Sequence, residues 1–79
     1  MSNFDHYAAA RKLITLLEED GHANDAATLR SAMASGSTGT EIFMALRFHI
    51  SDILRRIPLK GASRILASKL LDELNSALD

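Results

Sequence analysis

The feature that most constrains the fold is the segment 37–58, STGTEIFMALRFHISDILRRIP, which carries the signals of one long helix. Thr38 and Glu41 match a capping box, in which the hydroxyl accepts from the amide three residues on and the carboxylate reaches back. Pro58 ends the helix because it lacks the amide hydrogen that a further turn requires. The apolar residues fall on a stripe about 120° wide, which is typical of a helix that faces a core. They are Ile42, Phe43, Leu46, Ile50, Ile53, Leu54 and Ile57.

The opposite side of this helix is also apolar. Met44 and Phe48, spaced i,i+4, lie there with Arg55 at their edge. A side that faces water is normally polar, so either another helix or another protein is expected to cover these two residues. Within the chain, Phe4 and Ile65 have the reach to do so. Since the other helices are needed on the main stripe, we predict an intermolecular surface here, either self-complementary or heterologous.

The chain before this segment predicts two shorter helices. Helix one covers residues 3–20, with Ser2 and Asp5 as a capping box. Gly21 follows it, because glycine adopts the left-handed conformation that closes a helix. Helix two covers residues 23–35, and its many alanines allow close packing against neighbouring helices.

A fourth helix follows Pro58 and continues nearly to the end of the chain. Its predicted buried stripe comprises Leu59, Ala62, Leu66, Leu70, Leu74 and Ala77, with Leu71 and Leu78 beside it. The connections are short, and short connections favour antiparallel neighbours. We therefore predict an all-α fold, a single small domain over residues 1–79 with four helices in an antiparallel bundle-like arrangement.

Composition limits the class of protein. The 79 residues suffice for one domain, and an apolar fraction of 47% arranged in periodic stripes argues against disorder. The absence of cysteine excludes disulfides and thiolate metal sites, and a cytoplasmic location fits this composition. No basic start with an apolar run opens the chain, and no stretch approaches about 18 apolar residues. We expect neither a targeting segment nor contact with a membrane.

The net charge is −1 at pH 7, so any charge-driven recognition must be local. An acidic cluster at the end of helix one comprises Glu18, Glu19 and Asp20. A basic cluster at the junction of helices three and four, called the basic elbow below, comprises Arg55, Arg56, Lys60 and Arg64. In an antiparallel bundle the two regions come to the same end. The clusters then either screen each other or one of them meets an oppositely charged partner.

Residues suited to catalysis or cofactor binding are few. His6, His22 and His49 are far apart in sequence, and no HxxxH pair or clustered carboxylate completes a metal site. His49 and Asp52 could hydrogen-bond to each other, but no oxyanion device completes a hydrolytic site. We therefore predict no catalytic residue, no metal and no cofactor, and we expect the protein not to be an enzyme.

A helix-turn-helix formed by helices two and three is a further interpretation. Ala32 and Gly36 reproduce the alanine-glycine spacing of that motif, and an apolar residue stands where the second helix requires one. The second helix, however, opens with Ile42, Phe43 and Met44, where base-reading side chains belong. Sequence-specific DNA binding therefore ranks below protein binding.

Two stretches resemble known sequences. GHANDAATLR, followed by GSTGTEIFMALR, is similar to small uncharacterised bacterial all-helical proteins that share a Gly-His-Ala helix start and a GSTGTEI-apolar-LR segment. The resemblance covers roughly residues 16–50 and consists of helix caps and packing positions. It implies a bacterial helical protein and no particular activity.

The sequence favours a non-enzymatic protein-binding module. Its size and its over-apolar central helix are similar to those of inhibitor and immunity-type proteins of bacterial conflict systems, at the level of class. The partner is expected to be another protein or a second copy in a homodimer. The alternative is a nucleic-acid-associated regulator that uses the basic elbow.

Overall fold

Four helices account for most of residues 3–79, the part of the chain that the computed structural model describes. They are α1 (His6–Glu19), α2 (Ala23–Ser35), α3 (Gly39–Arg56) and α4 (Gly61–Leu78). The predicted all-α fold of four helices is confirmed. Among the described residues, no helix is both long enough and apolar enough to span a bilayer.

The helices form an antiparallel arrangement in which each packs against its neighbours in the chain and α1 also packs against α4. At one end, Nε2 of His6 at the start of α1 donates to the carbonyl oxygen of Glu73 near the end of α4, at 3.2 Å. At the other end, Asp20, Leu59 and Lys60 line a common groove. The end of α1 therefore lies beside the start of α4, as the short connections predict.

Helix α1 begins later than the sequence indicates, at His6 rather than residue 3. Asp5 is the N-cap itself, and its carboxylate accepts from the amide of Ala8 at 3.0 Å. The predicted capping box had placed Asp5 inside the helix, which is wrong. A short aspartate side chain reaches the third helical amide best from the N-cap position. The other member of that predicted box, Ser2, lies outside the described residues.

The turn after α1 confirms the predicted role of Gly21, whose φ of +87° lies in the left-handed region. The amide of His22 donates to the carbonyl of Leu17 at 2.8 Å, and the amide of Gly21 donates to the carbonyl of Glu18 at 3.2 Å. This pair of bonds is the Schellman motif, which satisfies the carbonyls left free at a helix end. It turns the chain directly into α2.

The start of α3 confirms half of the predicted capping box. The Thr38 hydroxyl accepts from the amide of Glu41 at 3.1 Å. The Glu41 carboxylate, however, reaches Ser37, one residue before the cap, and accepts from its amide at 2.9 Å and its hydroxyl at 2.6 Å. The hydrogen bond from the Ser37 hydroxyl, which has the larger effect, and the one from the Ser37 amide lower the pKa of Glu41 below its ordinary value. Side-chain hydrogen bonds thus satisfy one backbone amide in the first turn of α3 and one just before the helix.

The core confirms the predicted stripe of α3. Leu46, Ile50 and Ile53 are buried. The remaining members of the stripe are half-buried and pack against this core, namely Ile42, Phe43, Leu54 and Ile57. Facing them are buried residues of the other helices, including Ala10, Leu13 and Leu17 of α1 and Ala26, Leu29 and Ala32 of α2.

Helix α4 is rotated relative to the prediction. Ala62 and Ala77, predicted to be buried, are exposed. The other members of the predicted stripe are buried or half-buried, namely Leu59, Leu66, Leu70 and Leu74. Ser63 and Ala67, which were not predicted, complete the buried face. Ser63 tolerates burial because its hydroxyl donates to the carbonyl of Lys60 at 3.1 Å, so no polar atom is left without a partner.

An aromatic cluster joins the start of α1 to α3 and α4. The His6 ring lies 5.1 Å from the Phe4 ring, edge to face, and 4.5 Å from the Phe43 ring. The Tyr7 ring lies 5.6 Å from Phe43. Lys69 of α4 places its ammonium 5.7 Å from the centre of the Phe4 ring. This cluster therefore fastens the first turn of α1 to two other helices.

Candidate protein-binding surface on helix α3

The outer side of α3 carries exposed apolar residues. Met44 is 51% exposed and Phe48 is 67% exposed, whereas Leu46, between them in sequence, is fully buried. The two residues with the reach to cover them do not: Phe4 packs at the start of α1, and Ile65 is itself 72% exposed. The described part of the chain therefore leaves Met44 and Phe48 open to solvent.

These side chains belong to a continuous groove of about 430 Å³, called the α3 groove below. Its lining residues are Met44, Arg47, Phe48, Ser51 and Arg55 of α3 and Asn75 of α4. Four of them recur at steps of four, three and four residues, which places them on one side of a helix. The prediction that Arg55 edges the apolar pair is confirmed. Arg47 and Asn75 were not predicted as lining residues.

The charged lining of the α3 groove is entirely basic. Arg47 forms no ion pair with any residue in the range 3–79. Arg55 makes only a long contact of 3.4 Å with Asp52 and remains largely exposed. An exposed pair of this kind contributes about 0 to 1 kcal/mol, so Asp52 does not prevent Arg55 from binding a ligand. Arg47 is half-buried and also lines the groove.

Arg56, in contrast, is engaged inside the molecule. Its guanidinium lies 2.7 Å from Asp52 and 2.7 Å from Asp25 of α2. These hydrogen bonds, the one to Asp25 first, raise the pKa of Arg56 above its ordinary value. The structure thus divides the basic elbow, because Arg55 faces the α3 groove while Arg56 ties α3 to α2.

The two remaining elbow residues lie elsewhere. Lys60 is the N-cap residue of α4 and lines a separate groove with Asp20 and His22. Arg64 is exposed in the first turns of α4. Neither forms an ion pair within residues 3–79. The four elbow residues therefore do not line a single cavity.

The acidic cluster at the end of α1 forms no ion pair with the basic elbow within residues 3–79. Glu18 pairs with Arg30 of α2 at 2.9 Å, and both side chains are largely exposed. Glu19 and Asp20 are exposed and form no ion pair with the described residues. Asp20 does line a common groove with Lys60 of the basic elbow. The two alternatives, mutual screening of the clusters or contact with a charged partner, therefore both stay predictions.

The histidine and carboxylate residues do not assemble a reactive site. Within residues 3–79, no three His, Asp or Glu side chains come together in a group that could hold a metal ion. Asp52 accepts from Arg55 and Arg56 instead of His49, and the His49 ring lies edge to face with Phe48 at 5.2 Å. The suggested hydrogen bond between His49 and Asp52 is therefore not formed.

A second groove, of about 440 Å³, lies between α1 and α2. Its lining comprises Arg11, Ile14, Thr15, Arg30, Met33 and Ala34. None of the sequence patterns described above predicts this groove. Ile14 is buried, so the floor of this groove is the outer edge of the core.

Comparisons with known protein families, with curated proteins and with solved structures found no match for this chain. The resemblance of residues 16–50 to small bacterial helical proteins therefore stays a prediction. Any functional conclusion has to come from the surfaces described above.

Proposed function

We propose that this protein is a non-enzymatic protein-binding module whose contact surface is the α3 groove. The observation that carries the proposal is the exposure of Met44 and Phe48 side by side, on the opposite side of α3 from a complete core stripe. Exposed apolar residues that are grouped and rimmed by charged groups are typical of protein interaction sites. Aromatic residues, methionine and arginine are also the types enriched at such interfaces.

Packing energetics support this assignment. A half-exposed methionine and a two-thirds exposed phenylalanine contribute little to folding in their present positions, while their apolar surface remains available for burial by a partner. Burial is worth about 25 cal/mol per Å² of apolar surface. In many protein interfaces a few residues near the centre, often aromatic residues and arginine, supply most of the binding energy. Phe48, Met44 and Arg55 have this composition.

The class of function that we propose is that of an inhibitor or immunity-type protein of a bacterial conflict system. The support is the size of the chain and its compact helical fold, together with a binding surface built on a long core helix rather than on loops. A site on a rigid helix changes little in shape on binding and so loses little entropy. Nucleic-acid binding is less well supported, because the internal ion pairs of Arg56 reduce the charge that the basic elbow offers to phosphates.

The proposal is tested with a polar variant of the groove, Met44→Gln with Phe48→Gln. Glutamine has a helix propensity close to that of methionine, so the substitution removes apolar surface without penalising α3. The matched control is Ile65→Gln, which removes another exposed apolar side chain that does not line the groove.

Parent and variants are immobilised, and proteins are captured from an extract of the native host. Each captured protein is identified by mass spectrometry, purified and titrated against the parent. We expect direct binding that is lost in M44Q/F48Q and retained in I65Q. If the purified partner is an enzyme, its activity should fall with the parent and not with M44Q/F48Q. Binding that survives the double substitution would place the contact surface elsewhere on the molecule.

A further inference from the structure

We infer that the α3 groove binds an acidic amphipathic helix of another protein. In this complex, apolar side chains of the partner helix contact Met44 and Phe48, and its carboxylates contact Arg47 and Arg55. The inference rests on the proposed function, and it adds the chemical class and the shape of the bound segment.

The charge of the groove selects an acidic ligand. Its lining contains two arginines and no aspartate or glutamate. Arg47 has no ion pair within residues 3–79, and Arg55 shares Asp52 with Arg56, which holds that carboxylate at the shorter distance of 2.7 Å. In proteins, a guanidinium binds a carboxylate with two parallel hydrogen bonds. Because the whole chain has a net charge of −1, a preference for acidic ligands would have to come from a local basic surface such as this one.

The shape of the groove fits a helix of a few turns. Its lining residues on α3 extend from Met44 to Arg55, which at 1.5 Å per residue is about 16 Å, or three helical turns. Asn75 of α4 lies at its border, so the groove runs along α3 beside a second helix. An amphipathic helix binds in such a groove through residues at i, i+3, i+4 and i+7. The flexible side chain of Met44 can adapt to the apolar residues that it meets.

A second copy of this chain fits the same surface poorly. In a two-fold dimer the same patch occurs on both subunits, so the interface would hold Arg47 and Arg55 of both copies and no carboxylate from the groove lining. A dimer of standard size buries about 800 Å² per subunit, roughly one sixth of the 4785 Å² accessible surface. An interface of that size centred on Phe48 would have to include both arginines, and like charges brought together oppose association.

The test uses two stapled helical peptides of about 14 residues, because unstapled helices of this length are only marginally stable. Both carry leucine at i, i+4 and i+7, and the other exposed positions carry glutamate in one peptide and lysine in the other. Binding to the purified protein is measured by fluorescence anisotropy. We expect the acidic peptide to bind at least tenfold more tightly than the basic one at low salt, with a smaller difference at about 0.15 M salt.

Four variants assign any preference to the groove. M44Q/F48Q should bind neither peptide. Arg47→Gln with Arg55→Gln should bring the affinities of the two peptides within about threefold of each other. This variant removes the positive charges without adding a carboxylate next to Asp52. R47E/R55E should prefer the basic peptide. Arg11→Glu with Lys12→Glu makes the same change in net charge on α1 and should keep the parent's preference for the acidic peptide.

Three results would overturn the inference. Binding that requires Met44 and Phe48 without a charge preference would leave the proposed function intact and reject the acidic ligand. A dimer found by sedimentation equilibrium and abolished in M44Q/F48Q would make a second copy the occupant. Failure of both peptides to bind the parent would reject a helical ligand, and the proposed function would then be judged separately by the capture experiment.

Discussion

Replacing Leu46 with alanine tests the assignment of the two sides of α3. Leu46 has no exposed surface and lies in the central core with Ile50 and Ile53. Removing a buried leucine side chain costs the transfer free energy of the lost atoms plus the cavity left behind, which together amount to about 2 to 5 kcal/mol. A domain of this size has a free energy of unfolding of about 4 to 12 kcal/mol. The single substitution should therefore remove a large part of its stability.

The matched control is Met44→Ala, two residues earlier on the same helix. Alanine raises helix propensity slightly at both positions, so the comparison isolates burial. Because Met44 is half exposed, its substitution should change the free energy of unfolding by less than about 0.5 kcal/mol. Urea unfolding followed by circular dichroism measures both variants. In thermal melts, L46A should lower the Tm by at least about 8 °C. Equal destabilisation by the two substitutions would refute the division of α3 into a core side and an open side.

Three further substitutions test the helix ends and the aromatic cluster. Gly21→Ala should lower the free energy of unfolding by about 1 to 2 kcal/mol, because a φ of +87° is unfavourable for a residue with a Cβ atom. The added Cβ would meet no other atom within 4 Å, so the cost comes from the backbone conformation alone. An unchanged urea midpoint would count against the Schellman turn. Glu41→Gln should lower the free energy of unfolding at pH 7, because the Ser37 hydroxyl and amide stabilise the ionised carboxylate. The difference between E41Q and the parent should disappear as the pH falls below about 4.3 and through the lowered pKa of Glu41 in the folded state. A difference that persists at low pH would contradict this cause, and Glu19→Gln, which is exposed at the far end of α1, is the control. His6→Phe should lose the hydrogen bond to the Glu73 carbonyl while keeping ring packing, at a cost of about 0.5 to 1.5 kcal/mol in urea unfolding, and His6→Ala should cost more; equal costs would show that the ring contacts contribute nothing.

The helix boundaries were predictable where the signal is local in sequence. Thr38 and Gly21 act through hydrogen bonds to residues within four positions, so their roles can be recognised from residue type and spacing alone. Asp5 was the exception, because its predicted partner suggested a cap three residues too early. The core side of α3 was predictable for a related reason, since its stripe is long and strongly periodic.

The rotation of α4 could not be predicted from periodicity. The prediction followed the leucines and alanines, but the structure buries Ser63, whose polar group is satisfied by the Lys60 carbonyl just before the helix. A pattern of apolar residues cannot show that a serine hydroxyl will hydrogen-bond to a nearby backbone carbonyl and so become suitable for burial. Asn75 was not anticipated in the α3 groove, because the residues of α4 that border α3 are set by tertiary packing.

The candidate surface was predicted in its apolar part and only partly in its charges. The i,i+4 spacing placed Met44 and Phe48 on the outer side of α3, and both are exposed there. The ion pairs depend on which neighbouring helix is nearest, and this is a tertiary property. For that reason the sequence could not show that Arg56 pairs with Asp25 or that Glu18 pairs with Arg30.

The central claim is that Met44 and Phe48 serve a partner and not the core. The most direct measurement is the affinity of the purified partner for the parent and for M44Q/F48Q, with urea unfolding recorded on the same samples. The account predicts a loss of at least about 30-fold in affinity, which corresponds to about 2 kcal/mol, with cooperative unfolding at nearly the parent's midpoint. Unchanged affinity, or loss of cooperative unfolding in M44Q/F48Q, would contradict it.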